Sequence, residues 1–368
     1  LAAAEVAIVG AGPIGLELAA GLKHAGVPYV HLEAGAIGST IAWWSPDTRF
    51  FSNPERIAIA GVPLVTPDQS KATREQYLAY LRAVVQQFSL DVRTWTRVTR
   101  IAPVAGGFEL TTVRSSHGVG GPEELRDDSS AVDAIAWQRG ANTHFVRRVV
   151  LAIGDMHRPR MIDVPGERLP HVSHYLGEIH QYFGGRVVIV GGKNSAVEAA
   201  LRLHRAGARV AISYRGDSLD PKRVKYWLRP ELEWLISTRK IAFHPRTEVQ
   251  SINADAVNLH HVDDASNATR VPADFVLLLT GYEQDTSLFD QLGVELVGDE
   301  RAPRHDERTM ETSVPGISVA GTAAAGSQKR ARVFIENSHV HVRRIVKAIS
   351  GIDLPWIDDA EYSALAES

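Results

Sequence analysis

A short β-branched run, Val6-Ala7-Ile8-Val9, meets a glycine turn, Gly10-Ala11-Gly12-Pro13-Ile14-Gly15, and is followed by Leu16, Leu18, Ala19 and Leu22 at helical spacing. The next run, Tyr29-Val30-His31-Leu32, is again strand-like. Strand, turn, helix and strand in that order close as a βαβ unit, with the two strands parallel in one sheet. The glycines of the turn have separate tasks. Gly10 permits the tight turn, Gly12 lets backbone approach a pyrophosphate, and Gly15 lets the helix lie close on the strand. Pro13 and Ile14 complete the loop, and the unpaired amides at the helix start are donors for phosphate oxygens. Glu33, 23 positions after Gly10, stands where an acid at the end of the second strand accepts ribose hydroxyls.

The same unit returns later. Arg186-Val187-Val188-Ile189-Val190 reads as a strand, Gly191-Gly192-Lys193-Asn194-Ser195-Ala196 as the turn, Leu201 and Leu203 lie on the helix, and Val210-Ala211-Ile212-Ser213 is the second strand. Here Lys193 replaces the middle glycine and Ala196 the last. A lysine at the point of closest approach donates to phosphates directly, and Asn194 or Ser195 can cap the helix. The same count of 23 from Gly191 reaches Tyr214, followed by Arg215. No carboxylate is there to repel a 2′-phosphate and an arginine is placed to bind one, which favours NADPH over NADH. Lys222, Arg223 and Lys225 follow, a run that reads either as an addition to a phosphate pocket or as a solvated face.

The chain therefore reads as α/β, with two Rossmann-like dinucleotide-binding domains, the second inserted in a discontinuous first. The expected boundaries are 1–182 and 283–368 for an FAD domain and 183–282 for an NAD(P) domain. Phe275 to Leu279 closes the inserted fold as a buried strand, and Gly316 to Ala320 begins a last strand leading back to the first domain. Between the two units, Phe108 to Val113 and Ala131 to Val150 look like strands around a polar loop, Arg114 to Ser130, expected to be mobile.

Composition narrows the chemistry. With 40 Lys and Arg against 43 Asp and Glu, the net charge is −3. That field does not collect nucleic acid or anionic lipid, so a small-molecule or small redox-protein partner is expected. No cysteine is present, which removes disulfides, thiolate metal sites and an internal redox dithiol. The apolar start carries Glu5 and Glu17 without a basic lead, and no uncharged run reaches membrane-helix length. A cytoplasmic location is the expectation.

The chain resembles the flavoprotein reductases with two dinucleotide-binding domains, the superfamily of thioredoxin reductase and flavin-containing monooxygenases. Val149-Val150-Leu151-Ala152-Ile153-Gly154 is similar to that group's strand-to-glycine crossover, with Ile153 in place of the usual threonine, and Leu279-Thr280-Gly281-Tyr282 to its counterpart. Thr312 to Gly316 through Ala320-Gly321 resembles the segment that returns to the flavin, with Thr322 where an aspartate often stands. A closer likeness is to the bacillithiol-disulfide reductases, in Phe50-Phe51-Ser52, Gly61-Val62-Pro63, Val65-Thr66-Pro67, Val172-Ser173-His174-Tyr175, Gly191 to Ala200, Val224-Lys225-Tyr226-Trp227 and Phe334-Ile335-Glu336-Asn337. The resemblance implies FAD and NADPH as cofactors, contacts at Ser52, Ala152, Gly154, Gly281, Gly321 and Thr322, and a possible homo-oligomer. It also implies reduction of a low-molecular-weight disulfide through a cysteine in the first glycine loop. Ile14 occupies that position here, and an isoleucine forms no mixed disulfide.

Three functions fit these residues: an NADPH- and FAD-dependent oxidoreductase with an external acceptor, a flavin-containing monooxygenase, and a non-catalytic flavin or NADPH sensor. The monooxygenase motif F-x-G-x-x-x-H is matched imperfectly, with Val164 for the aromatic and His171 one position late. His174 and Tyr175 are weak catalytic candidates, either facing substrate or serving as hydrogen-bonded linker residues. Trp43, Trp44, Phe50 and Phe51 read either as an aromatic flank for the flavin or as core. His339-Val340-His341 does not suit a metal, because alternate helix residues do not face each other, and a surface location is expected.

Overall fold

The computed structural model describes residues 4–114, 142–329 and 332–357. Residues 115–130 of the expected polar loop and the first part of the strand region expected over 131–150 lie outside the described residues. The chain divides into two compact units: Leu1–Trp43, Asp47–Arg158 and Tyr282–Ser368 form the first, Trp44–Pro46 and Pro159–Gly281 the second.

In chain order the elements that matter are β1 (Val6–Val9), α1 (Pro13–His24), β2 (Tyr29–Leu32), β3 (Val92–Arg93), β4 (Arg148–Leu151), β5 (Val172–Ser173), β6 (Arg186–Val190), α2 (Asn194–Arg205), β7 (Arg209–Tyr214), β8 (Ala242–Pro245), β9 (Phe275–Leu278), β10 (Ile317–Val319) and α3 (His339–Ser350). The first unit holds a parallel sheet of order β10-β4-β1-β2-β3, the second a parallel sheet of order β8-β7-β6-β9-β5. Parallel strands covered on both faces read as continuous apolar runs. Accordingly Val6, Ala7, Ile8, Val149, Val150, Leu151 and Ile189 have no exposed surface, and burial of each valine, leucine or isoleucine contributes about 1.5–3 kcal/mol. Each unit adds a three-stranded antiparallel sheet, Thr96–Val104 with Gly107–Arg114 and Asn142–Val146 in the first, Thr247–Asn253 with Ala256–His261 and Asp264–Pro272 in the second.

Apart from the short excursion Trp44–Pro46, the chain passes into the second unit between Arg158 and Pro159, earlier than the expected boundary after residue 182. The reason is β5: Val172 and Ser173 pair with Val276 and Leu277 of β9, so the stretch ahead of β6 already belongs to the second sheet. The motif-like stretch 164–171 lies there too. Gly166 is a turn residue whose Cβ, if present, would fall 1.9 Å from the Ile252 carbonyl oxygen, a packing reason for glycine.

His339 and His341 are buried, not on the surface as expected. Helix α3 packs on α1, and α1 offers a polar partner: Glu17 Oε2 lies 2.6 Å from His339 Nδ1, while Glu17 Oε1 accepts from the Ala60 amide at 2.9 Å. His341 Nδ1 accepts from the Gly321 amide at 3.2 Å. Buried histidines with such partners satisfy their hydrogen bonds internally. Among the described residues no three His, Asp or Glu side chains gather as a metal site, and no helix is long and apolar enough to cross a membrane.

Candidate functional site

The first glycine loop leaves the carboxyl end of β1. Gly10 has φ +105°, and a Cβ there would fall 2.4 Å from the Ala152 carbonyl oxygen, so only glycine fits. A Cβ at Gly15 would fall 2.0 Å from the Gly10 carbonyl oxygen. At Gly12 it would meet nothing within 4 Å. The loop is thus closed against the protein at its two ends and open in the middle, the cradle a pyrophosphate requires. Helix α1 starts with Gly12 as N-cap and Pro13 in its first turn, with no side-chain cap, which leaves its first amides to a ligand.

Glu33 sits at the end of β2 and is buried. Its oxygens accept from the amides of Ala11 at 2.6 Å and Gly35 at 2.8 Å and from the Ser39 hydroxyl at 3.1 Å. Burial raises its pKa against the effect of these donors. The acid therefore fastens the end of β2 to the glycine loop and keeps acceptor capacity for hydroxyl groups, since a carboxylate has about four acceptor positions. His31, one strand position inside, contacts the Gly10 carbonyl oxygen with Nε2 at 2.8 Å; burial lowers its pKa to about 4, so it is neutral and donates that bond.

The second loop leaves β6 in the same way. Gly191 has φ +144°, and a Cβ there would fall 2.6 Å from the Leu279 carbonyl oxygen. Gly192 lies under the ring of Tyr214, 2.4 Å from where its Cβ would be. Lys193 is the N-cap of α2 and makes no side-chain cap. Asn194 does not cap the helix either, as sequence reading allowed: its Oδ1 accepts from the Lys225 amide at 2.8 Å, fixing the segment after β7. Ser195, exposed in the first turn, has no cap bond assigned to it. The start of α2 thus has no side-chain cap from Lys193, Asn194 or Ser195, as α1 has none from Gly12.

Around Lys193 the charge is positive. Partial burial lowers its pKa, and the neighbouring charges of Arg223, Arg160 and Arg215 add to that. Four cations brought together raise each other's energy, and an anion among them relieves it. Arg215 is exposed and Arg223 half-buried. Arg160 was not apparent from sequence, because it lies outside the βαβ unit and reaches the site through the fold; its amide and carbonyl pair with Gly281 and Thr280.

The family model for pyridine nucleotide-disulphide oxidoreductases matches residues 7–117 and 139–321. The chain belongs to that family. It is accordingly a flavin- and nicotinamide-dependent oxidoreductase. Bacilliredoxin reductase Bdr of Bacillus subtilis is 31% identical over 343 residues, covering 93% of this chain and 96% of its own. The solved bacillithiol disulfide reductase Bdr of Bacillus cereus is 33% identical with a TM-score of 0.82, over 94% of this chain and 98% of that one. A ferredoxin–NADP reductase of Ignicoccus hospitalis is 25% identical over 324 residues, 86% of this chain and 89% of its own.

The chain has no cysteine. Ile14 is buried in the first turn of α1, and a Cβ at Gly321 would lie 3.4 Å from its own Cβ. Gly321, at φ +72°, starts the turn after β10, and Thr322 follows it. Ala152 and Gly154 follow β4, with Gly154 at φ +80°, and Gly281 follows β9 at φ +106°. Ser52 is half-buried just ahead of the short helix Pro54–Ile57.

The catalytic candidates are enclosed in the second unit. His174 is 2% exposed at the side chain, with Nε2 3.5 Å from Glu167, whose carboxylate also accepts from the amides of Ile162 and Asp163. Tyr175 is also buried. Phe50 is core, its ring centroid 4.5 Å from that of Tyr77.

Proposed function

We propose that the chain transfers hydride from NADPH to FAD and passes the electrons to an external acceptor without a thiol of its own. The observation that carries this reading is the contrast of the two loops, a buried acid at one and four cations at the other. Gly12 leaves room for a pyrophosphate and Glu33 takes ribose hydroxyls, which suits FAD at the first loop. Lys193, Arg160, Arg215 and Arg223 suit the phosphates of NADPH, with Arg215 on the 2′-phosphate.

When bound, the two cofactors supply the hydride chemistry. The residues of the chain bind and orient them: uncapped α1 and α2 direct amides at the pyrophosphates, and Gly10, Gly154, Gly191 and Gly281 permit backbone turns that side chains would strain. With Ile14 in the loop and no cysteine in the sequence, electrons leave the protein without a mixed disulfide. The names of the relatives point to acceptors of two classes, a low-molecular-weight disulfide and a small redox protein.

The test is NADPH oxidation by flavin-loaded protein across disulfides, bacilliredoxin-like and ferredoxin-like proteins, quinones and oxygen. The reading expects bleaching of the visible flavin band by NADPH and sustained turnover with one acceptor class. Protein that carries no flavin, or a flavin that NADPH does not bleach, refutes it.

A further inference from the structure

Arg215 stands on a bend just after β7, and the same bend carries an acid, Asp217, exposed two residues further on. An acid so placed works against an anionic ligand, because like charges at close range repel. The bend is held from two sides. On one it folds across Tyr214, the last residue of β7: a Cβ at Gly216 would fall 2.7 Å from the Tyr214 ring, and that ring lies on Gly192 of the second loop. On the other, β8 pairs with β7 as far as Tyr214 and Pro245, which brings the next residue, Arg246, beside the bend.

Arg246 grips the bend by backbone and side chain together. Its amide donates to the Gly216 carbonyl oxygen at 3.1 Å, and its guanidinium donates to Asp217 Oδ1 at 2.9 Å through one nitrogen and to Asp263 Oδ2 through the other. The Arg246 carbonyl oxygen accepts from the Val262 amide at 2.8 Å, which ties it to the hairpin turn that carries Asp263. Local backbone preference does not account for an arginine here, since φ is +52°, a conformation that suits glycine or asparagine better. Fold stability does not account for it either. Arg246, Asp217 and Asp263 are exposed, and exposed ion pairs add little to folding.

We infer that Arg246 sets the preference of the second loop for NADPH: it occupies the Asp217 carboxylate, which would otherwise repel a 2′-phosphate or pair with Arg215, and it fixes the bend on which Arg215 stands. The inference rests on the second loop being the NADPH site. Arg215 already lies within reach of the Lys193 charge, so the phosphate-binding field depends on the bend staying where it is. Removal of the guanidinium leaves the Asp217 charge uncompensated two residues from Arg215. Arg246 is thus a positioning residue, acting through Asp217 and Arg215.

Direct binding of NADP+ and NAD+ to the full chain saturated with FAD separates this role from a structural one, because the two nucleotides differ only in the 2′-phosphate. Arg246→Ala is expected to weaken NADP+ about tenfold and NAD+ by less than about twofold, with the unchanged NAD+ affinity showing that the loop is intact. Asp217→Asn in the Arg246→Ala background removes the charge that Arg246 no longer holds, and returns NADP+ to within about threefold of the wild type. Arg246→Lys, which keeps the cation, retains most of the preference. Arg246→Ala protein that binds NADP+ as the wild type does, or that loses both nucleotides alike, overturns the inference. So does an NADP+ loss that Asp217→Asn leaves unrepaired or that Arg246→Lys shares in full. Wild-type protein that binds both nucleotides equally, or neither, refutes the NADPH assignment of the second loop, and the inference falls with it.

Discussion

Gly10 and Gly191 occupy equivalent places. Each lies after the central strand of its sheet, each donates its amide to the neighbouring strand, Gly10 to Leu32 at 2.8 Å and Gly191 to Ser213 at 3.0 Å, and each excludes a Cβ because a carbonyl of the next strand stands there. From that common backbone the loops diverge. The first is sealed at Gly15 and ends on a buried acid; the second accepts Ala196 where Gly15 would be and ends among Lys193, Arg160, Arg215 and Arg223. The backbone decides where a pyrophosphate sits. In the proposed reading, a few side chains around it select the nucleotide.

The comparison breaks most visibly at the last position of each loop. Gly15→Val drives a side chain into the Gly10 carbonyl, 2.0 Å from the Cβ position, and is expected to abolish flavin retention with loss of stability of at least about 1–3 kcal/mol, read from flavin content and urea unfolding. Retention of flavin by that variant would show that the seal is dispensable.

Acid is the next probe of the first unit. Burial lowers the pKa of His31 to about 4, of His157 to about 4 and of His341 to about 3, the last helped by the charges of His305, Arg344 and His339. All three lie in the first unit. These groups stay neutral in the folded protein while the unfolded chain takes up protons. Their contribution is full above about pH 6.5 and is lost as the pH falls through about 4, or about 3 for His341, on the order of 3–5 kcal/mol for each. Urea melts between pH 7 and 4, followed by flavin release, should weaken steadily, and His31→Gln should flatten part of the slope. His339 has the opposite sign. Burial opposes its charge, but Glu17, the Arg56 carbonyl and Glu336 together outweigh it and raise the pKa, so its contribution is present below about pH 6.5 and is lost as the pH rises through its folded pKa.

At the second loop, Arg215→Ala should raise the KM for NADPH about tenfold and leave that for NADH nearly unchanged. Equal effects on both would remove the 2′-phosphate from its role. Smallest is Ala196→Gly, which costs about 0.5–1 kcal/mol of stability by helix entropy and leaves nucleotide binding in place.

What could be read from sequence follows the range of the contacts. The first loop was legible because Gly10, Gly15 and Glu33 fall within one βαβ unit, and the second was legible through Lys193 and Arg215 for the same reason. Arg246 was not, since it meets Gly216 and Asp217 only once β8 has paired with β7. Arg160 was likewise hidden. His339 and His341 read as surface residues because nothing in α3 announces Glu17 on α1, and the boundary after residue 182 came late because β5 is two residues long and shows itself only by pairing with β9.

The central claim is that the first loop holds the flavin, the second holds NADPH, and no thiol of the chain stores electrons between them. Anaerobic titration of the flavin-loaded protein with NADPH, followed at the visible flavin band, tests all three parts together. Complete bleaching by one equivalent of NADPH per flavin, with NADH needed in large excess, is the predicted result. No bleaching, equal response to NADH, or consumption of a second equivalent before bleaching is complete would contradict it.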